Sequence, residues 1–432
     1  MSERIKATYI IETPHALQKA AEVMAGEQSC GTFVRVPGET DELRENHSAR
    51  IESIEELEPA NGPSLPGCKV PASAGANPIY RRGRVVLSFP LANMGPSLPN
   101  LVATVLGNLF ELSQFSGLKL MDLDLPQEFA DAYPGPQFGV PGTRKMAGVY
   151  DRPIIGTIIK PSVGLSPEAT AETVQKFADV GLDFIKDDEL MANGPHSPFE
   201  KRVDAVMRVI NKHADRTGKK VMFAFNLTDE IDLMLRHHDY VLKAGGTCVM
   251  ASLNSVGLPG LAHLRRNCAL PIHGHRNGWG ILTRAPSLGI DYLAYQKLYR
   301  VAGVDHLHCN GLRNKFWEPD DSVLRSARGC VTGMFGAKKP LDYGKDGYTV
   351  MPVLSSAQWA GQAPDTYKAL GTTDVMYVCG GGILAHPSGP AAGVVSVQQG
   401  WEAAIKGIDL ETYAKTHVEL AQAIEWYNQL GA

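Results

Sequence analysis

From about residue 150 onward the chain keeps a rhythm that few folds can satisfy. Short apolar runs at residues 154–161, 184–188, 221–227, 248–253, 271–276, 306–310, 350–355 and 375–380 alternate with helix-length amphipathic segments such as 169–180, 200–217 and 292–302. Strands separated by helices pair in parallel, because each strand must be reached by a crossover. Eight such runs in succession predict a (β/α)8 barrel. An open doubly wound sheet is the competing arrangement, but no Gly-x-Gly-x-x-Gly follows the first run.

The residues before this rhythm have another texture. Residues 7–12 and 84–90 are expected to be strands, 16–25 and 98–112 helices, and the Pro- and Gly-rich stretch 59–76 an excursion loop. A second dense cluster of Pro and Gly at 132–142 marks a boundary. The chain of 432 residues is therefore expected to divide into an α+β domain over 1–135 and a barrel with C-terminal helices over 136–432.

Polar residues crowd the ends of the apolar runs, where barrel enzymes carry their chemistry. The first run ends in Lys160-Pro161 and the second in Lys186-Asp187-Asp188-Glu189. The fifth carries His273, His275 and Arg276, the sixth His306 and His308, the seventh ends in Ser355-Ser356, and the eighth enters Gly380-Gly381-Gly382. An isolated Lys-x-Asp-Glu reads as a solvated acidic turn, and His273 alone as a core histidine. Six of eight runs ending this way point instead to one site. Strand alternation puts Lys186 and Asp188 on one face, with Glu189 able to swing toward them. Two carboxylates suit a hard cation such as Mg²⁺, and a buried neutral lysine that takes up CO₂ becomes a third oxygen ligand. The glycines let backbone N–H groups approach a phosphate, while Arg276 and His308 are placed for a second anionic group. Metal-dependent amidohydrolases also combine a barrel, a His-x-His strand and a carboxylated lysine, but in the opposite order along the chain.

Bulk properties exclude other classes. Net charge is −4 with no basic block, so neither nucleic acid nor a membrane surface is an expected partner. No signal peptide or membrane span is evident, and the seven scattered cysteines lack Cys-x-x-Cys pairs, as expected of a reduced cytoplasmic protein.

The motifs closely resemble one family, the large subunit of ribulose-bisphosphate carboxylase (RuBisCO) and the RuBisCO-like proteins. Gly156-Thr157-Ile158-Ile159-Lys160-Pro161 is similar to the family's catalytic-lysine motif, and Gly181-Leu182-Asp183-Phe184-Ile185-Lys186-Asp187-Asp188-Glu189 to its metal-site motif. His273-Gly274-His275-Arg276, His306-Leu307-His308, Pro352-Val353-Leu354-Ser355 and Gly380-Gly381-Gly382 follow in family order, as do Gly26-Glu27 through Thr32-Phe33 and Gly107-Asn108. The resemblance spans nearly the whole chain. It implies a ferredoxin-like α+β domain before the barrel and a homodimer, or higher oligomer, with shared active sites and no small subunit. It implies Mg²⁺ held by carbamylated Lys186, Asp188 and Glu189, with Lys160 and His275 moving protons. Gly380 and Gly381 would hold one phosphate, Arg276, His308 and Ser355 the other end of the substrate. Lys315 would be the mobile-loop lysine, pairing with Glu27 of the partner subunit, and Thr32 and Asn108 would complete that shared site.

The departures matter equally. The carboxylase lid sequence Gly-Thr-x-x-Gly-Lys-Leu-Glu-Gly is replaced by Asn310-Gly311-Leu312-Arg313-Asn314-Lys315-Phe316-Trp317-Glu318, which keeps the lysine but loses the glycine hinges. Ser162 stands where a second lysine is expected, Ser356-Ala357 where two glycines are, and Phe33 where a tryptophan is. Parts for metal binding and enolisation are kept while gas-handling parts are altered, which implies a RuBisCO-like protein and not a CO₂-fixing one. The expected function is Mg²⁺-dependent formation of an enolate or enediolate from a phosphorylated oxo-sugar or oxo-sugar-acid. Decarboxylation or transcarboxylation-hydrolysis of the 3-oxo-isoapionate 4-phosphate type leads. A methionine-salvage enolase or isomerase, a non-catalytic phosphosugar-binding barrel and a true carboxylase are the alternatives.

Overall fold

A computed structural model describes residues 3–31, 36–335 and 347–431. Thirteen strands occur among them: β1 Arg4–Thr13, β2 Arg50–Ala60, β3 Tyr80–Pro90, β4 Gly117–Asp124, β5 Ile154–Ile158, β6 Phe184–Lys186, β7 Met222–Asn226, β8 Cys248–Ser252, β9 Ile272–His275, β10 Leu288–Ile290, β11 His306–His308, β12 Met351–Leu354 and β13 Met376–Val378. They form two compact units, one of residues 1–134 with 278–301, the other of 135–277 with 302–432.

The first unit is built on one sheet of order β10-β4-β1-β3-β2. Its four N-terminal strands run antiparallel in the 4-1-3-2 order of a ferredoxin-like α+β domain, as the resemblance implied. Alternating burial along β1 sends Ile5, Ala7, Tyr9 and Ile11 inward, and the helix Leu17–Glu27 buries its apolar stripe Leu17, Ala20, Ala21 and Met24 while packing on β2 and β3. The expected helix over 98–112 breaks in two: Leu98–Val105 is α-helical, and Gly107, at φ +34°, turns the chain into a 3₁₀ segment, Gly107–Glu111. β2 was not anticipated. It carries four glutamates and no buried residue, the composition of an edge strand protected against further pairing. β10, also unanticipated, joins the opposite edge, parallel to β4.

The second unit is the expected closed parallel barrel, in the order β5-β6-β7-β8-β9-β11-β12-β13 and back to β5. The eight strands correspond to the eight apolar runs. Ile154, Phe184, Met222, Ala224, Cys248, Met250, Met351, Val353, Met376 and Val378 fill its interior. The helix Gly139–Ala147 closes the floor. Asp305, just before β11, accepts from the Phe138 and Gly139 amides (2.6 and 3.0 Å), and Arg144 donates to Asp374, before β13, at 2.6 Å. Both contacts lie at N-terminal strand ends, which leaves the C-terminal ends free for chemistry.

Candidate active site

The residues picked out from the sequence occupy the C-terminal strand ends. Lys160 lies two residues past β5 and Lys186 closes β6, with Asp187, Asp188 and Glu189 in the loop beyond. Lys160 Nζ donates to Asp188 Oδ2 at 2.6 Å and to Ser162 Oγ at 2.7 Å. Lys186 Nζ lies 3.4 Å from Glu189 Oε2, and His275 Nε2 lies 3.5 Å from the same oxygen. Five side chains from three strands thus converge on one point.

Burial sets their protonation. Lys186 is 1% exposed, and desolvation lowers its pKa against the opposing pull of Glu189 and Asp188. Burial pushes Glu189 upward, but His275, Lys186 and Lys160 outweigh it and hold the carboxyl at about 2. His275, desolvated and beside Lys186, is lowered to about 4 and is neutral at pH 7. Asp187 faces away, as strand alternation predicted. It is fully buried and accepts from Arg202 at 3.3 Å and from the Asn226 amide at 3.0 Å. Arg202 also donates to the carbonyls of Ala192 and Ser197, fixing the loop that carries the cluster. Asn226, at the end of β7, steadies the same loop through the carbonyls of Asp188 and Glu189, at 3.4 and 3.3 Å.

Beside this cluster, with the His275 ring centroid 4.4 Å from that of His308, the fifth, sixth and seventh barrel strands contribute. His308 Nδ1 meets Ser355 Oγ at 3.2 Å, and His308 Nε2 meets His273 Nε2 at 2.8 Å. The row continues inward from His273 Nδ1 to His306 Nδ1 (3.3 Å), and from His306 Nε2 to Thr143 Oγ1 (2.9 Å) on the floor helix. Burial lowers the pKa of all three imidazoles. After β13, Gly380 and Gly381 present open backbone: a Cβ on Gly381 would meet nothing within 4 Å, and one on Gly380 only Ile158, at 3.8 Å. Gly382 differs, since a Cβ there would lie 2.0 Å from the Gln358 carbonyl oxygen. The first two glycines are available to a ligand and the third is needed for packing.

Some expected residues sit otherwise. Arg276 is paired: its Nη2 donates to Glu318 Oε2 at 2.7 Å, with both side chains buried. Lys315 is exposed, its ammonium 5.3 Å from the Phe316 ring centroid, and no described contact draws it to the cluster. Glu27 and Asn108 are exposed residues of the first unit, and Thr32 and Phe33 lie outside the described residues. Glu318, Asn310 and Asn226 were not singled out from the sequence. Asn226 carried a usable signal, a polar residue ending an apolar strand. Glu318 carried none, because its partner is 42 positions away.

Among the described residues no three His, Cys, Asp or Glu side chains form a cation cage. The donor chemistry nevertheless fits Mg²⁺ if Lys186 supplies a carbamate, because Asp188 and Glu189 converge on a point now neutralised by the Lys160 and Lys186 ammonium groups. Among the same residues no helix is long and apolar enough to cross a membrane.

The catalytic-domain model of the ribulose bisphosphate carboxylase large chain matches residues 139–427, and its N-terminal-domain model matches residues 3–129. The chain belongs to the RuBisCO large-chain family and, within it, to the RuBisCO-like proteins. It is 52% identical over 427 residues to the 3-oxo-isoapionate-4-phosphate transcarboxylase/hydrolase of Xanthobacter autotrophicus, covering 99% of this chain and 100% of that one. It is 46% identical to the 3-oxo-isoapionate-4-phosphate decarboxylase of Rhizobium rhizogenes, covering 97% of each. The crystal structure of a rubisco-like protein from Burkholderia fungorum superposes with a TM-score of 0.88 at 45% identity, covering 98% of this chain and 99% of that one. Proteins of this family generally use Mg²⁺ with a carbamylated lysine.

Proposed function

We propose that this protein removes the carboxyl group of a phosphorylated 3-oxo-sugar-acid of the 3-oxo-isoapionate 4-phosphate type, by decarboxylation or by transcarboxylation and hydrolysis. The observation that carries the reading is the convergence of Lys160, Lys186, Asp188, Glu189 and His275, supported by relatives named for these two activities. In a 3-oxo acid, the electron pair of the breaking C–CO₂ bond passes into the neighbouring carbonyl and gives an enediolate. Mg²⁺ held by Asp188, Glu189 and carbamylated Lys186 would stabilise that developing oxyanion as a Lewis acid. The depressed pKa of Lys186 favours the neutral amine that takes up CO₂.

The remaining steps fall to the chain's own groups. Lys160, 42% exposed and oriented by Asp188, delivers a proton to the enediolate carbon. His275, neutral at pH 7, accepts a hydrogen bond from a substrate hydroxyl. The open backbone at Gly380 and Gly381 holds the phosphate, and Ser355, oriented by His308, holds the opposite end. We further propose a homodimer in which exposed Glu27 and Asn108, together with Thr32, complete the partner's site. Mixing Lys186→Ala and Asn108→Ala proteins, each inactive, would then restore activity through hybrid dimers.

The assay uses 3-oxo-isoapionate 4-phosphate carrying ¹³C in its carboxyl group, with Mg²⁺ and bicarbonate, followed by NMR. Loss of the label as CO₂ or bicarbonate (decarboxylation), or its appearance in the carboxylate of a smaller product (transcarboxylation and hydrolysis), abolished by a chelator, is expected. Intact substrate after prolonged incubation would overturn the reading.

A further inference from the structure

The guanidinium of Arg276, a natural fork for an anion at the barrel mouth, already holds one. Glu318 Oε2 accepts from Arg276 Nη2 and from Asn310 Nδ2, each at 2.7 Å, while its Oε1 accepts from Ser322 Oγ at 3.0 Å. The Glu318 side chain is 2% exposed. Its setting is fixed on every side. Asn310 sits in the left-handed region at φ 63° and is held by Ser356 Oγ at 3.0 Å. Asn314 Nδ2 donates to the Glu318 carbonyl at 2.9 Å, Gln358 Nε2 to the Leu312 carbonyl at 2.9 Å, and the Arg313 amide to Asp320 Oδ1 at 2.8 Å. A phosphate arriving at Arg276 would meet a buried carboxylate and could displace it only by undoing these contacts together. Like charges at such range repel strongly, and the Glu318 carboxylate offsets the positive charge that would attract the phosphate.

We propose that Glu318 is a specificity-determining residue. Its buried carboxylate, held against Arg276 Nη2, offsets the charge that the guanidinium would offer an anion, so the site accepts sugar derivatives with a single phosphate and rejects bisphosphates. The end of the substrate facing this side is then an uncharged, hydroxylated group able to donate a hydrogen bond to Ser355, which His308 orients. This inference rests on the phosphosugar reading above and names the substrate class within it.

The test is calorimetric titration of the Mg²⁺-loaded protein with ribulose 5-phosphate and ribulose 1,5-bisphosphate as probes. Wild type is expected to bind the bisphosphate more weakly than the monophosphate. Glu318→Gln, which removes the charge and keeps the shape, is expected to tighten bisphosphate binding about tenfold or more, the scale of one charge-assisted contact, with monophosphate binding nearly unchanged. Should that variant fail to fold, Glu318→Asp, which draws the carboxylate back from Arg276, is read in the same way. A wild type that binds the bisphosphate as tightly as the monophosphate or more tightly, or a folded variant with an unchanged preference, overturns the proposal while leaving the phosphosugar reading intact. Failure of both probes to bind both proteins overturns both readings.

Discussion

On one side of the barrel mouth, the carboxylates of Asp188 and Glu189 are shared among Lys160, Lys186 and His275, at separations from 2.6 to 3.5 Å. On the other, Arg276 and Glu318 are matched to each other and buried at 5% and 2% exposure. The first group is loosely balanced and partly open, an arrangement that a ligand or cation can reorganise at small cost. The second is closed, an arrangement that resists reorganisation. One end of the site is thus prepared for chemistry and the other for discrimination, although both are built from the same residue types.

The largest effect should come from the open side. Lys186→Ala removes the group that would carry the carbamate and is expected to cut Mg²⁺-dependent turnover about 10³-fold or more, as measured by kcat. A variant retaining a tenth of wild-type turnover would break the contrast. On the closed side the expected loss is in stability. Arg276→Met leaves Glu318 buried without its cation and should cost about 3–5 kcal/mol in urea unfolding, whereas the double change Arg276→Met with Glu318→Met should cost far less. Equal costs for the single and double changes would show that the pair is not a unit.

A smaller effect follows from the histidines between the two sides. His273 and His306 are fully buried, and desolvation holds both imidazoles neutral, His306 down to about 3. Above about pH 6.5 neither the folded nor the unfolded state protonates them, and stability does not depend on them. As pH falls below that value the unfolded chain binds protons that the folded chain does not, so each imidazole should subtract about 1.4 kcal/mol per pH unit until its folded pKa is reached. His306→Gln is expected to flatten the decline in urea midpoint between pH 7.5 and pH 5, and an unchanged slope would count against it. Smallest of all, Arg313→Ala removes an ion pair to Asp365 whose partners are about half exposed, and should change stability by less than about 1 kcal/mol.

The barrel was legible because its strands are short apolar runs whose polar ends fall at regular positions, and burial on both faces leaves such strands little sequence freedom. β2 was illegible for the opposite reason: an edge strand faces solvent, and its glutamates resemble those of a loop. The Lys160, Lys186, Asp188, Glu189 and His275 set could be read because each residue ends a recognisable strand. Glu318 sits in a loop, so its role depends on how that loop folds back toward Arg276, a relation that no local pattern encodes. Arg276, expected to hold one end of the substrate, ends its strand as read, and the Glu318 carboxylate beside its Nη2 is the part that the sequence did not announce.

The imidazole row has a consequence that reaches from the bottom of the barrel to its top. Thr143 gives its hydroxyl hydrogen to the Gly139 carbonyl, so its oxygen can only accept from His306 Nε2. A neutral imidazole has one donor and one acceptor. His306 Nδ1 must therefore accept from His273 Nδ1, and His273 Nε2 must accept from His308 Nε2. His308 Nδ1 is left to accept from Ser355, whose hydrogen is thereby committed inward and whose oxygen faces outward as an acceptor. A single threonine beneath the barrel thus dictates the tautomer of three histidines and the polarity of a serine at the other end.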